Sequence, residues 1–339
     1  MHMADALLHP AVGGVMWAAG AAAIGVSAKK SAAGDTSGSR LPLMAVSGAF
    51  VFAAQMINFT IPGTGSSGHI GGGILLAALL GPFPALLAIA SVLLIQCLFF
   101  ADGGLIAYGA NLFNMGVIPC LLAYPLVFKP IMSKGWTAWR LRAASVAAVA
   151  AGLLAGAFGV VLETQVSGIT RLPFGAFVLL MMPIHLAIGI VEGIITAAVL
   201  SYVYAARPEI LERAAAVGST VTPAGARSLR PVLLTLAAAA LVTGALLSQF
   251  ASSFPDGLEW SIERTAGSAE LEADAPAFRR AQSVQDATAF MPDYGFGENS
   301  ERSEALGTAS AGVVGAVITA ALAVGAGAAV RAVKRKRAA

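Results

Sequence analysis

Residues 174–206 read FGAFVLLMMPIHLAIGIVEGIITAAVLSYVYAA, a stretch in which one His and one Glu are the only breaks in an apolar or small-residue run. A helix needs roughly 20 such residues to cross a bilayer. Working outward, similar runs cover residues 11–28, 41–61, 83–100, 105–128, 141–166, 231–250 and 308–330, and a shorter one covers 70–80. The 339-residue chain is 57% hydrophobic and 12% charged, about half the charge of a typical soluble domain. These features predict an all-α polytopic membrane protein of about nine transmembrane helices, seven followed by two. The run at 70–80 is too short to cross alone, so it is expected either to tilt or to begin in a loop that folds back into the membrane. Cys97 and Cys120 both fall inside apolar runs, where buried thiols serve packing rather than a disulfide or metal.

Lys and Arg set the orientation. With the N-terminus outside and nine crossings, the inner segments are 29–40, the GPFP turn at 81–84, 129–142, 205–230 and the tail from 331. They hold sixteen of the 21 basic residues. The C-terminus is then inside, residues 207–230 form a cytoplasmic linker, and residues 251–305 form an external loop carrying eleven acids and four arginines. That loop has few helix or strand signals and reads as largely mobile. The domains are therefore 1–206, the linker 207–230, and a two-helix region 231–339. The net charge of +3 reflects topology and points to no nucleic-acid partner. The first Lys is Lys29, after the first apolar run, so no basic leader precedes that run and the N-terminus is expected to be retained.

Ionisable groups at membrane depth are functional candidates. They are His2 and His9 ahead of the first span, His69, Asp102 in the turn ADGG, and His185 with Glu192. His69 ends INFTIPGTGSSGH, where Pro62, Gly63, Gly65 and Gly68 favour an irregular, closely packed loop over a helix. His185 and Glu192 share one helix face and read either as a proton or cation relay or as a polar pair satisfied by packing. Asp102 reads as a turn residue, and Asn111 and Asn114 as interhelical hydrogen-bonding amides. His9, before Pro10, reads as a surface residue.

The opening MHMADALLHP places a histidine at position two. Its large side chain disfavours removal of Met1. The Met1 amine, the His2 amide nitrogen and His2 Nδ1 can then close a five-membered and a six-membered chelate ring around one ion. Three nitrogens occupy one plane, and the fourth in-plane position suits an imidazole such as His69. Tetragonal nitrogen sites favour Ni2+ or Cu2+; a deprotonated amide points to nickel and less strongly to cobalt. Met1, His2 and His69 are the candidate metal site. Along the first span, Gly14, Ala18, Ala22 and Val26 recur every four residues and form a smooth face suited to another membrane helix, although an alanine-rich protein also produces such patterns for internal packing.

MHMADALLHP, QMINFTIPGTGSSGHIGGGILLAALLGPFPA, FADGGLIAYGANLFNMG and HLAIGIVEGIITAAV together resemble the NikM/CbiM-type substrate-capture subunits of energy-coupling-factor nickel and cobalt transporters, over residues 1–204. FPDGLEWS, PDYGF and the last helix resemble the small two-helix PDGLE partner of that subunit, fused here. The resemblance implies a seven-helix capture unit that ligates Ni2+ or Co2+ through the Met1 amine, the His2 amide and imidazole, and His69. It also implies a membrane coupling subunit and two cytoplasmic ATPases. The chain has no G-x-x-x-x-G-K-[ST] motif, so ATP hydrolysis falls to partners. The family loop commonly reads PGGTSGH; PGTGSSGH here is one residue longer.

Two alternatives remain at this point. Gly65-Ser66-Ser67-Gly68 fits the G-x-S-G of rhomboid-like intramembrane serine proteases, with His185 as a possible base. A passive metal channel would need no ATPase.

Overall fold

In a computed structural model, the structure describes residues 1–33, 40–215, 228–268, 271, 275–296 and 301–338. It is an all-α polytopic membrane protein carrying one small hairpin. Helix α1 spans Pro10–Ala33 and α2 Arg40–Gln55. The hairpin pairs β1, Phe59–Ile61, antiparallel with β2, Ser66–Gly68. Then follow α3, Gly73–Leu80, α4, Pro82–Phe99, and α5, Tyr108–Met132. Next come α6, Ala138–Ser167, α7, Phe174–Ala206, and α8, Pro208–Ala215. The C-terminal region contributes α9, Arg230–Ala245, α10, Gly257–Ala266, α11, Pro276–Thr288, and α12, Glu301–Ala338. Among the described residues six helices are long and apolar enough to cross a membrane, and α2 and α9 are shorter apolar helices.

The second apolar run differs from its sequence reading. Its helix stops at Gln55, and Phe59–Ile61 becomes a strand. Pro62 lacks an amide hydrogen, and Gly63 (φ +77°) and Gly65 (φ +74°) adopt the left-handed backbone of a tight turn. The short run at 70–80 yields α3, whose eight residues are all buried, so it never faces lipid. In α5 the residues Phe113–Phe128 wind with the wider i→i+5 spacing around Pro119 and Pro125, whose missing N–H interrupts the normal ladder.

The segment 251–305 corrects, among its described residues, the expectation of little helix. It holds α10 and α11, and α10 opens with a capping box. Asp256 Oδ1 accepts from the Leu258 and Glu259 amides at 2.7 and 2.9 Å, and Glu259 Oε2 accepts from the Asp256 amide at 3.0 Å. Of the linker 207–230, residues 208–215 form α8, and 216–227 lie outside the described residues.

The last two apolar helices pack on the side of the bundle. Helix α12 lies against α2, α4 and α9. Gly244 of α9 faces Gly312 of α12 so closely that a Cβ on Gly244 would sit 3.1 Å from the Gly312 carbonyl, a contact only small residues permit. On α1, by contrast, Gly14, Ala18, Ala22 and Val26 are exposed.

Candidate metal centre

Residues 1–9 cross one end of the bundle, and backbone bonds hold them there. The Met3 amide donates to Asn111 Oδ1 at 2.7 Å, while the Met3 carbonyl accepts from Asn111 Nδ2 at 3.1 Å and the Gly104 amide at 2.9 Å. Asp5 Oδ1 accepts from the Ala107 amide at 2.9 Å. Met3, Leu7 and Leu8 are buried. Asn111 thus ties down the N-terminal segment rather than a neighbouring helix, whereas Asn114 does reach across helices, donating to Glu163 Oε2 at 2.7 Å. His9 is exposed, and its Nδ1 accepts from the Ala11 amide at the start of α1.

This strap brings the Met1 amino nitrogen to 3.0 Å from His69 Nε2. His69 Nδ1 is 3.0 Å from the Ile70 carbonyl and must donate to it, because a carbonyl only accepts. That fixes the tautomer and leaves the Nε2 lone pair facing the amine. Two nitrogens bound at right angles to one ion at about 2.0–2.1 Å lie about 2.9 Å apart, so the observed spacing suits a shared cation. Burial, then the charge of the Met1 amine and the neighbouring His2, holds His69 down to about 3, which keeps its imidazole neutral and available for coordination.

The His2 ring stacks on that of His69, with centroids 5.3 Å apart and planes 14° from parallel. Its Nδ1 lies 3.2 Å from Asp102 Oδ1 and its Nε2 3.2 Å from Gln96 Oε1. The chelating nitrogen therefore faces a carboxylate in this conformation. Burial lowers the His2 pKa, against the opposing pull of Asp102. Asp102 is more than a turn residue: Ala101 (φ 56°) and Gly103 (φ 83°) turn the chain around it, and Tyr294 donates to its Oδ2 at 2.5 Å. Gln96 Nε2 donates to Gln55 Oε1 at 2.7 Å, and Gln55 Nε2 to the Gly71 carbonyl at 2.9 Å. A chain of amides thus connects His2 to the turn beyond His69. Glu192 anchors the same turn, accepting from the Gly72 amide at 2.8 Å.

Sequence reasoning missed Asp256. Its Oδ2 lies 2.5 Å from the Met1 amino nitrogen. Burial pushes its carboxyl up, but the adjacent amine, His69 and the hydrogen bonds it accepts outweigh that and hold it well below the usual carboxylate range. The capping pattern Asp256-x-x-Glu259 was a readable signal for the helix. Gln55 and Gln96, polar residues inside apolar runs, were readable as candidates in their own right.

Two spaces adjoin the centre. An open vestibule of about 820 Å³ is lined by His2, Asp5, His69, Asp102, Asp256 and Glu259, among others. A chamber of about 30 Å³ on the other side is lined by Met1, His69, Asn114, His185, Glu192 and Asp256, among others. His185 Nδ1 donates to the Met181 carbonyl at 2.8 Å, and its Nε2 has no hydrogen-bond partner among the described residues. Ser67 is buried and its hydroxyl donates to the Phe254 carbonyl at 2.7 Å. Serine and histidine therefore do not form a nucleophile–base pair. Cys97 and Cys120 are free and buried.

Residues 2–210 match the family described as "Cobalt uptake substrate-specific transmembrane region". The chain belongs to this CbiM family. Residues 230–332 match the PDGLE domain. A putative metal transport protein of Haloquadratum walsbyi is 40% identical over 215 residues, covering 62% of this chain and 93% of that one. A putative fused nickel transport protein NikMN of Archaeoglobus fulgidus is 37% identical over 226 residues, covering 64% and 70%. The crystal structure of a truncated transition metal transporter superposes with a TM-score of 0.54 at 30% identity, covering 61% of this chain and 99% of that one. The protein is a metal-transport component of this cobalt-uptake family and not an enzyme, which removes the protease alternative.

Proposed function

We propose that this chain is the ion-capture component of an energy-coupling-factor importer in a prokaryotic cytoplasmic membrane, taking Ni2+ or, less favourably, Co2+ at its outer face. The spacing of 3.0 Å between the Met1 amine and His69 Nε2 carries the reading. The ion binds the Met1 amine, the His2 amide nitrogen, His2 Nδ1 and His69 Nε2, and the amide loses its proton as it binds. Loading requires the His2 ring to turn its Nδ1 away from Asp102. The vestibule, with carboxylates from both the N-terminal strap and the C-terminal segment, raises the local cation concentration and leads to the site.

Residues 1–206 form the capture unit, 207–230 a cytoplasmic linker and 231–339 a fused auxiliary region. The N-terminus lies outside and the C-terminus inside; Lys29, Lys30 and Lys129 stand at the ends of α1 and α5 away from the site, as that orientation requires. A membrane coupling subunit and two cytoplasmic ATPases drive release. The exposed small-residue face of α1 suits the coupling subunit. The test is metal analysis of purified full-length protein against His2→Ala and His69→Ala. One tightly held ion per chain, lost in both variants, is expected; retention in either refutes the ligand set. Accumulation of metal in cells lacking the ATPases would refute the importer reading in favour of a channel.

A further inference from the structure

The C-terminal region reaches the ion site along a docked path. Residues 252–260 lie beside the hairpin that leads to His69. The Ser252 amide donates to the Asn58 carbonyl at 2.7 Å and the Ser67 amide to the Pro255 carbonyl at 2.8 Å. Ser67 and Asp256 form a parallel bridge, and Trp260 Nε1 donates to the Thr64 carbonyl at 3.0 Å. Gly257 permits this approach, because a Cβ there would sit 3.0 Å from the His185 ring. The path delivers Asp256 with one oxygen committed to capping α10 and the other 2.5 Å from the Met1 amine.

We propose that Asp256 is a positioning residue and the counter-charge of the ion site: it holds the Met1 amine at donor distance from His69 and balances the charge of the loaded centre. The proposal rests on the reading of Met1, His2 and His69 as the donors. A divalent ion held by a neutral amine, two neutral imidazoles and one deprotonated amide carries a single positive charge. That charge sits where the Met1 side chain is only 4% exposed, and an isolated buried charge is strongly disfavoured. Asp256 supplies one negative charge at contact distance, and it accepts a hydrogen bond from the amine whether or not the ion is bound. A carboxylate bonded to a ligating nitrogen both orients it and raises its basicity. The fused C-terminal region thereby supplies part of the site and is more than an attached accessory.

Full-length Asp256→Asn tests this, because Asn caps a helix as well as Asp while removing the charge. Asp256→Ser, also a good cap, serves should the amide variant not fold. In metal-free protein, a small water-soluble active ester is expected to acylate the Met1 amine faster in either variant than in the wild type, read by peptide mass spectrometry. Ni2+ affinity, measured by competition with a chelator, is expected to fall about tenfold or more, the scale of a lost hydrogen bond to a charged group. One ion per chain and the ligand-field absorption of a planar nitrogen site are expected to remain. Wild-type acylation and wild-type affinity in the variants would overturn the proposal while leaving the donor set intact. Undiminished Ni2+ binding by His69→Ala would instead overturn the donor reading.

Discussion

Extending the chain by one residue ahead of Met1 turns the amine into a peptide N–H and so removes a donor, a positive charge and the partner of Asp256. Asp256 is then left without the charge 2.5 Å away that balances it. Removing one member of a buried ion pair costs about 3–5 kcal/mol. If that penalty falls on the ion-binding conformation, affinity drops between about a hundredfold and a few thousandfold. The surroundings leave little room for escape. Met1 is 6% exposed, and the chamber beside it measures only about 30 Å³, so the added residue must displace Met1 toward the vestibule, away from His69. The assay is chelator competition with Ni2+ on detergent-purified protein, comparing the authentic and extended N-termini, with helix content measured to verify folding. A folded, extended protein that binds Ni2+ within about threefold of the original refutes the participation of the amine, since so small a change is inconsistent with a lost donor.

Stability is expected to fall as pH drops from 6.5 toward 3. His69 is held down to about 3 in the folded chain against 6.5 unfolded, so the unfolded state binds the extra proton in that window and stability must rise with pH across it. Thermal midpoints of metal-free protein at pH 7, 5.5 and 4 check this, and His69→Asn is expected to flatten the trend. Tyr294→Phe removes the donor to Asp102 Oδ2 and is expected to lower stability by roughly 1–2 kcal/mol, seen as easier thermal release of the C-terminal segment; an unchanged midpoint contradicts the bond. Gly109→Ala would push a Cβ into the backbone of Met16 and Trp17, forcing α5 away from α1 at a cost of about 1–3 kcal/mol, measurable by the same melts.

The long helices were legible because lipid imposes a local requirement: each span must satisfy its own backbone and present about 20 apolar residues. The proposed His2 chelate rests on the sequence, since its donors are adjacent in the chain, whereas in the structure His2 Nδ1 faces Asp102. The hairpin was partly legible. The glycines announced an irregular loop, but not that β1 and β2 would pair or that residues 252–256 would lie alongside. The helices of the 251–305 segment were masked by its acidity, although a capping box stood at the start of α10.

Sequence by itself determined that this is a polytopic helical membrane protein and where its long apolar helices lie; it also supplied the grounds for the proposed orientation and for the proposed nitrogen donors near the amino terminus. Tertiary structure alone decided that the amine meets His69 and Asp256, and that His2 turns its Nδ1 toward Asp102. The reason is separation along the chain: Met1 and Asp256 are 255 positions apart. No periodicity or spacing can encode such a meeting, which exists only once the strap, the hairpin and the C-terminal segment have packed against one another.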